Sequence, residues 1–110
     1  MRVTGSILAV RSLMKLHREH RKDRNQKTIE DELRARGMSI RDIHNGPVTD
    51  LLVGFQGVNF LFEVKNPERP KSERKLSDKQ KEDHESWRGQ IDVIETADDA
   101  LRIIYATCGL

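Results

Sequence analysis

Apolar positions recur along this chain with two different periods. From Thr49 to Lys65, TDLLVGFQGVNFLFEVK, two apolar runs flank Gln56-Gly57. A glycine at the second turn position suits a two-residue turn, so the segment reads as a β-hairpin. With the turn centred there, Phe55 faces Val58, Val53 faces Phe60 and Leu51 faces Phe62 on one wholly apolar face. The other face pairs Gly54 with Asn59, Leu52 with Leu61 and Asp50 with Glu63, and strand alternation adds Lys65 to it.

Elsewhere the period is helical. Ile29 and Leu33 are four apart and predict a helix over residues 24–36, with Thr28-x-x-Asp31 as a capping box and Gly37 just past the end. MSIRDI then alternates, with Met38, Ile40 and Ile43 as a first strand, and HNGP breaks the chain. Residues 66–76, NPERPKSERKL, form a polar loop. Ser77-x-x-Gln80 is a capping box that opens a helix to about Arg88. Gln80, His84 and Trp87 share one face of it, and Trp87 should turn that face towards the core. IDVIE (91–95) reads as a buried strand, and Thr96 caps a last helix with Ala97, Ala100, Leu101 and Ile104 as its inner stripe. Residues 1–22 carry Ile7, Val10, Leu13 and Met14 at helical spacing before the basic run KLHREHRKDR. The predicted organisation is a basic arm or helix over 1–22 and one domain over 23–110. Hairpin strands run antiparallel and a strand–helix–strand passage can run parallel, so an α/β fold follows, with a mixed four-stranded sheet flanked by helices.

Composition sharpens the partner class. A chain of 110 residues with 35% hydrophobic and 35% charged residues is one heavily charged domain. The net charge of +2 is unevenly spread: residues 1–27 hold eight Lys/Arg against Glu19 and Asp23, a local +6, which leaves −4 for the rest. A basic arm on a mildly acidic body suits a polyanionic partner, although many basic termini are only solvated. Cys108 is a single thiol, which favours a reducing compartment. No apolar run reaches the roughly 20 residues of a bilayer span and no signal peptide is legible, so a cytoplasmic location without membrane contact is expected.

Two carboxylates facing each other on a sheet repel, with Cβ atoms about 4.5–5.5 Å apart. One hard divalent cation can bridge them, completed by water and a substrate phosphate. The Val64 carbonyl offers a further oxygen, and Lys65 can hold water or hydroxide near a phosphate. A cation beside a lysine suits phosphodiester hydrolysis. The same residues also fit a solvent-facing ion pair at a strand end, and spacing alone leaves both readings open.

The set Asp50…Glu63-Val64-Lys65 resembles the PD-(D/E)XK nuclease superfamily. With RNQKTIEDELRARG before it and TDLLVG, FEVK, LSDKQ, WRGQI and DDAL in order, residues 23–105 look like the small phage-type members related to virus-type replication-repair (VRR-NUC) and Holliday-junction-resolvase-like domains. The resemblance implies a restriction-endonuclease-like core. It also implies a Mg²⁺- or Mn²⁺-dependent DNA endonuclease acting on branched or structured DNA in phage replication or repair. Carried over by position, Asp50 and Glu63 are the metal ligands, Lys65 the catalytic lysine, and Gln80 of the Leu76-Ser77-x-x-Gln80 element stands at the site's edge. Where many relatives bring a first-helix acid to the metal, this chain has Gln26, with Glu30 beside the apolar face. Thr49 replaces the proline of the family name.

The remaining candidates are weaker. Arg18, Arg21, Lys22 and Arg24 in the arm, and Lys71, Arg74, Lys75 and Lys79 in and after the polar loop, are placed to meet phosphates or simply to be solvated. His17 and His20 read as solvated arm residues, His84 as packed and hydrogen-bonded, and Cys108 as a bystander. Two competing functions remain: a non-catalytic nucleic-acid-binding module on a nuclease-like fold, and a protein-interaction or inhibitor domain. A homodimer is expected if both strands of a junction are cut.

Overall fold

The computed structural model describes residues 24–46, 48–70 and 76–110. Among these, α1 (Arg24–Ala35) leads into β1 (Ser39–Asp42), β2 (Leu51–Phe55) and β3 (Val58–Val64). Then come α2 (Asp78–Ser86), β4 (Asp92–Ile94) and α3 (Ala97–Cys108). The sheet order is β1-β2-β3-β4, with β1–β2 and β2–β3 antiparallel and β3–β4 parallel. The expected mixed four-stranded α/β sheet is therefore present. The arm over 1–22, with Arg18, Arg21 and Lys22, lies outside the described residues, as do Lys71, Arg74 and Lys75.

The hairpin turn sits at Gln56-Gly57, with φ of 50° and 79°, the left-handed pair that a tight two-residue turn needs. That turn sets the register Leu51↔Phe62, Val53↔Phe60 and Phe55↔Val58, as the alternation predicts. Leu51, Val53, Phe60, Phe62 and Val64 are buried on one face. Phe60 and Phe62 stack with ring centroids 6.1 Å apart. Ile29 and Leu33 of α1, with Ala97, Ala100, Leu101 and Ile104 of α3, close over this face. Burying each large aliphatic side chain contributes roughly 1.5–3 kcal/mol, so this face carries most of the fold's stability.

Local signals account for the helix ends. Gly37 (φ 90°) stops α1, where the Gly37 and Met38 amides donate to the carbonyls of Arg34 and Leu33. Thr28 does not start α1. The helix is already formed at Arg24, and Asn25 is anchored by Nδ2 donating to the carbonyls of Lys65 and Glu95, both at 2.9 Å. Thr96 and Asp99 form a reciprocal capping box on α3. Burial pushes the Asp99 carboxyl up, but bonds from the Glu95 and Thr96 amides and the nearby Arg102 outweigh this and hold its pKa low.

Two further expectations fail in the second half of the chain. Residues 91–95 are not a buried strand: β4 covers three residues, Ile94 alone is buried, and Val93 is 44% exposed. A sheet-edge strand covered on one face buries only alternate residues. Trp87 is not core; it too is 44% exposed. It is the C-cap of α2 in extended backbone, so the helical period that would align it with Gln80 and His84 ends at Ser86. Its indole lies over Gly89 instead, where an added Cβ would meet Nε1 at 3.0 Å.

Candidate active site

The ends of β2 and β3 build the site. The Asp50 amide donates at 3.1 Å to the carbonyl of Phe62, the residue already paired with Leu51, so the chain leaves the regular ladder at Asp50. The strand pairing ends at Leu51↔Phe62, one residue short of the expected Asp50–Glu63 pair, but the Asp50 carboxyl lies within hydrogen-bonding reach of that of Glu63. The apolar residues on the opposite face hold both strands in this register. Asp50 Oδ2 accepts from the Val64 amide at 2.7 Å, which fixes that carboxylate against β3.

Glu63 is 5% exposed. Its pKa is pushed up to about 8, first by burial and next by the negative charge of Asp50, with Lys65 opposing. Lys65 lies on the same face, with Nζ 3.6 Å from Glu63 Oε2. Gln80 joins the two: Nε2 donates to Glu63 Oε2 at 3.0 Å and Oε1 accepts from Lys65 Nζ at 3.3 Å. The same Oε1 accepts from the Ser77 amide at 3.0 Å, within the capping box of α2. Capping and site contact, alternatives in the sequence, are thus performed by one side chain.

Asp50, Glu63 and Gln80 border a cleft of about 230 Å³ with His44, Thr49 and Lys79 among others, whereas Lys65 lines a separate groove with Val93 and Glu95. Lys79 is mostly exposed and lies 3.8 Å from Asp83. Arg24, exposed at the start of α1, lines a separate groove with Asn66 and Glu68. His84 is half-buried, and its Nε2 is buried with no hydrogen-bond partner among the described residues, contrary to the expectation of a packed, bonded ring.

Both first-helix candidates are buried, and neither is among the residues that line the cleft. Gln26 Nε2 donates to Glu30 Oε2 at 3.0 Å and to Asp42 Oδ1 at 3.2 Å, tying α1 to the end of β1. Asp42 in turn holds His44, with Nδ1 at 2.6 Å from Oδ1 and the His44 amide donating to the same oxygen at 3.1 Å. Asp42 and His44 are not among the site residues expected from the sequence. The available signal was an acid and a histidine two apart at a strand end, RDIHNG, just before the chain breaks.

Two close carboxylates, one with its proton retained by burial and a like charge, form a hard oxygen pair of the kind that Mg²⁺ or Mn²⁺ takes in exchange for that proton. Among the described residues no three His, Cys, Asp or Glu side chains converge as a ligand set, so the other oxygens would come from backbone, water or substrate. Compared with known proteins, the chain matches no family model, no curated protein and no solved structure.

Proposed function

We propose that this chain is a Mg²⁺- or Mn²⁺-dependent DNA endonuclease of the PD-(D/E)XK kind on a restriction-endonuclease-like core. The observation that carries the reading is the adjacent carboxyl pair Asp50 and Glu63 with Lys65 at 3.6 Å from Glu63, cross-linked by Gln80. Asp50 and Glu63 would hold the cation, with the Val64 carbonyl as a further oxygen. When bound, the cation neutralises phosphate charge and acidifies water. Lys65 supplies a fixed ammonium that stabilises charge developing on the phosphate. Gln80 keeps the lysine and Glu63 in mutual register. Lys79 on the cleft wall, with the basic arm, supplies salt-sensitive attraction to DNA.

Branched or otherwise structured DNA of phage-type replication or repair, met inside the cell, is the proposed substrate, with a homodimer cutting the two strands. Purified protein incubated with branched and linear DNA, with and without Mg²⁺, tests this. Metal-dependent cleavage by wild type and its loss in Lys65→Ala are expected. Equal cleavage by both, or none on any structure, sinks the reading. The competing reading, a binding module without catalysis, draws on Gln26 standing where relatives place an acid. It predicts salt-sensitive DNA binding with no cut product.

A further inference from the structure

The Asp42–His44 pair has the geometry of an oriented base. Asp42 Oδ1 receives three donors: the His44 ring at Nδ1, the His44 amide and the Gln26 amide group. A carboxylate oxygen so used is an acceptor, so Nδ1 carries a ring hydrogen, and in the neutral ring the lone pair is then on Nε2. His44 lines the cleft with Asp50, Glu63 and Gln80. It does not join the two carboxylates in a ligand set. Its Nε2 is therefore left for what occupies the cleft. The alternative base is poorly placed. Lys65 Nζ is turned to Glu63 and Gln80, and Lys65 is not among the residues that line this cleft.

We infer that His44 is a catalytic residue, the general base for the attacking water, and that Asp42 is its positioning residue. The inference rests on the phosphodiesterase reading of the same cleft. The water oxygen forms the new bond to phosphorus while its proton passes to His44 Nε2. The phosphorus–oxygen bond to the leaving strand breaks, and the leaving oxygen takes a proton from solvent, to which His44 later returns its own. Asp42 stabilises the imidazolium formed in between, as a carboxylate does behind any catalytic histidine. Gln26 and Glu30, buried behind Asp42, keep that carboxylate from turning. On this reading the first helix serves the base.

The test combines cleavage kinetics with ring spectroscopy. His44→Ala should lower kcat about 10²–10⁴-fold, with partial rescue by added imidazole. His44→Gln, which keeps a hydrogen-bonding group but no base, should be as slow. In the wild type without DNA, ¹⁵N shifts of the His44 ring should report hydrogen on Nδ1, and Asp42→Asn should weaken that preference and slow cleavage. A ring protonated on Nε2 alone, or cleavage by His44→Gln within about threefold of wild type, overturns the role of His44. Those outcomes with Lys65→Ala still inactive leave the nuclease reading standing. A wild type that cuts no DNA removes both.

Discussion

The Asp50 carboxyl lies beside that of Glu63, and its negative charge is, after burial, the main reason that Glu63 holds its proton to about pH 8. A carboxyl whose pKa is raised from 4.5 to about 8 on folding binds a proton more tightly in the folded state than in the unfolded one. Its stabilising contribution is complete below pH 4.5 and is lost as pH rises through 8. In metal-free buffer, thermal stability should therefore fall between about pH 5 and 8, by an amount on the order of a few kcal/mol. Glu63→Gln, which cannot ionise, should flatten that slope. A metal-free wild type whose stability rises steadily from pH 5 to 8 would contradict the assignment.

A cation must displace the Glu63 proton to bind between the carboxylates, so Mg²⁺ or Mn²⁺ affinity should rise with pH up to about 8. Binding only to the folded state adds about 1.4 kcal/mol at ten times Kd. For a domain this size that amounts to a Tm rise of several degrees. Asp50→Asn and Glu63→Gln should each abolish the rise. Calorimetric titration at pH 6 and pH 8 measures the linkage directly, and equal affinities at both would argue against a proton-for-metal exchange.

The hairpin was legible because two independent signals agreed on it, the turn pair Gln56-Gly57 and strict alternation on both arms. That agreement holds as far as Leu51↔Phe62; Asp50, one residue beyond, shares the Phe62 carbonyl instead of pairing with Glu63, yet its carboxyl still reaches Glu63. Trp87 misled because a helical period was extended one residue past the point where the backbone turns extended. Val93 misled because IDVIE is apolar enough for a buried strand, whereas burial depends on whether anything covers that face, which is a tertiary fact. Asp42 and His44 were missed for a related reason. Their bond forms across a strand end, and its link to Gln26 spans 16 residues, beyond any local pattern.

Gln80 offers a way to separate helix capping from site chemistry. Gln80→Ala removes the capping box, at a cost of about 0.5–2 kcal/mol, together with the bonds to Glu63 and Lys65. Gln80→Glu keeps a carboxylate suited to the capping box but removes the donor to Glu63 and adds a third carboxyl group. Urea midpoints at pH 6 should therefore drop for the alanine variant and much less for the glutamate variant. DNA cleavage should fall at least about tenfold in both, the scale of a lost charge-assisted hydrogen bond. Full activity in Gln80→Glu would make the contacts with Glu63 and Lys65 incidental to turnover.

Gln90 completes the sheet edge where β4 is too short to do so. Its Oε1 accepts from the Leu61 amide at 2.7 Å, and its Nε2 donates to the Leu61 carbonyl at 2.8 Å and to Asp92 Oδ2 at 2.9 Å. The side chain thus mimics one more strand residue, one position before Phe62↔Asp92 begins the parallel pairing. This edge is exposed, so water replaces part of what is lost, and Gln90→Ala should cost only about 1 kcal/mol. The register of β4 should suffer more than global stability does. Amide exchange at Leu61 should speed up strongly in Gln90→Ala, and that at Lys65, whose amide donates to Ile94 at 2.9 Å, should speed up moderately. Because Lys65 follows β3 at that junction, cleavage should weaken several-fold. Exchange at Leu61 unchanged from wild type would show that Gln90 does not hold this edge in solution.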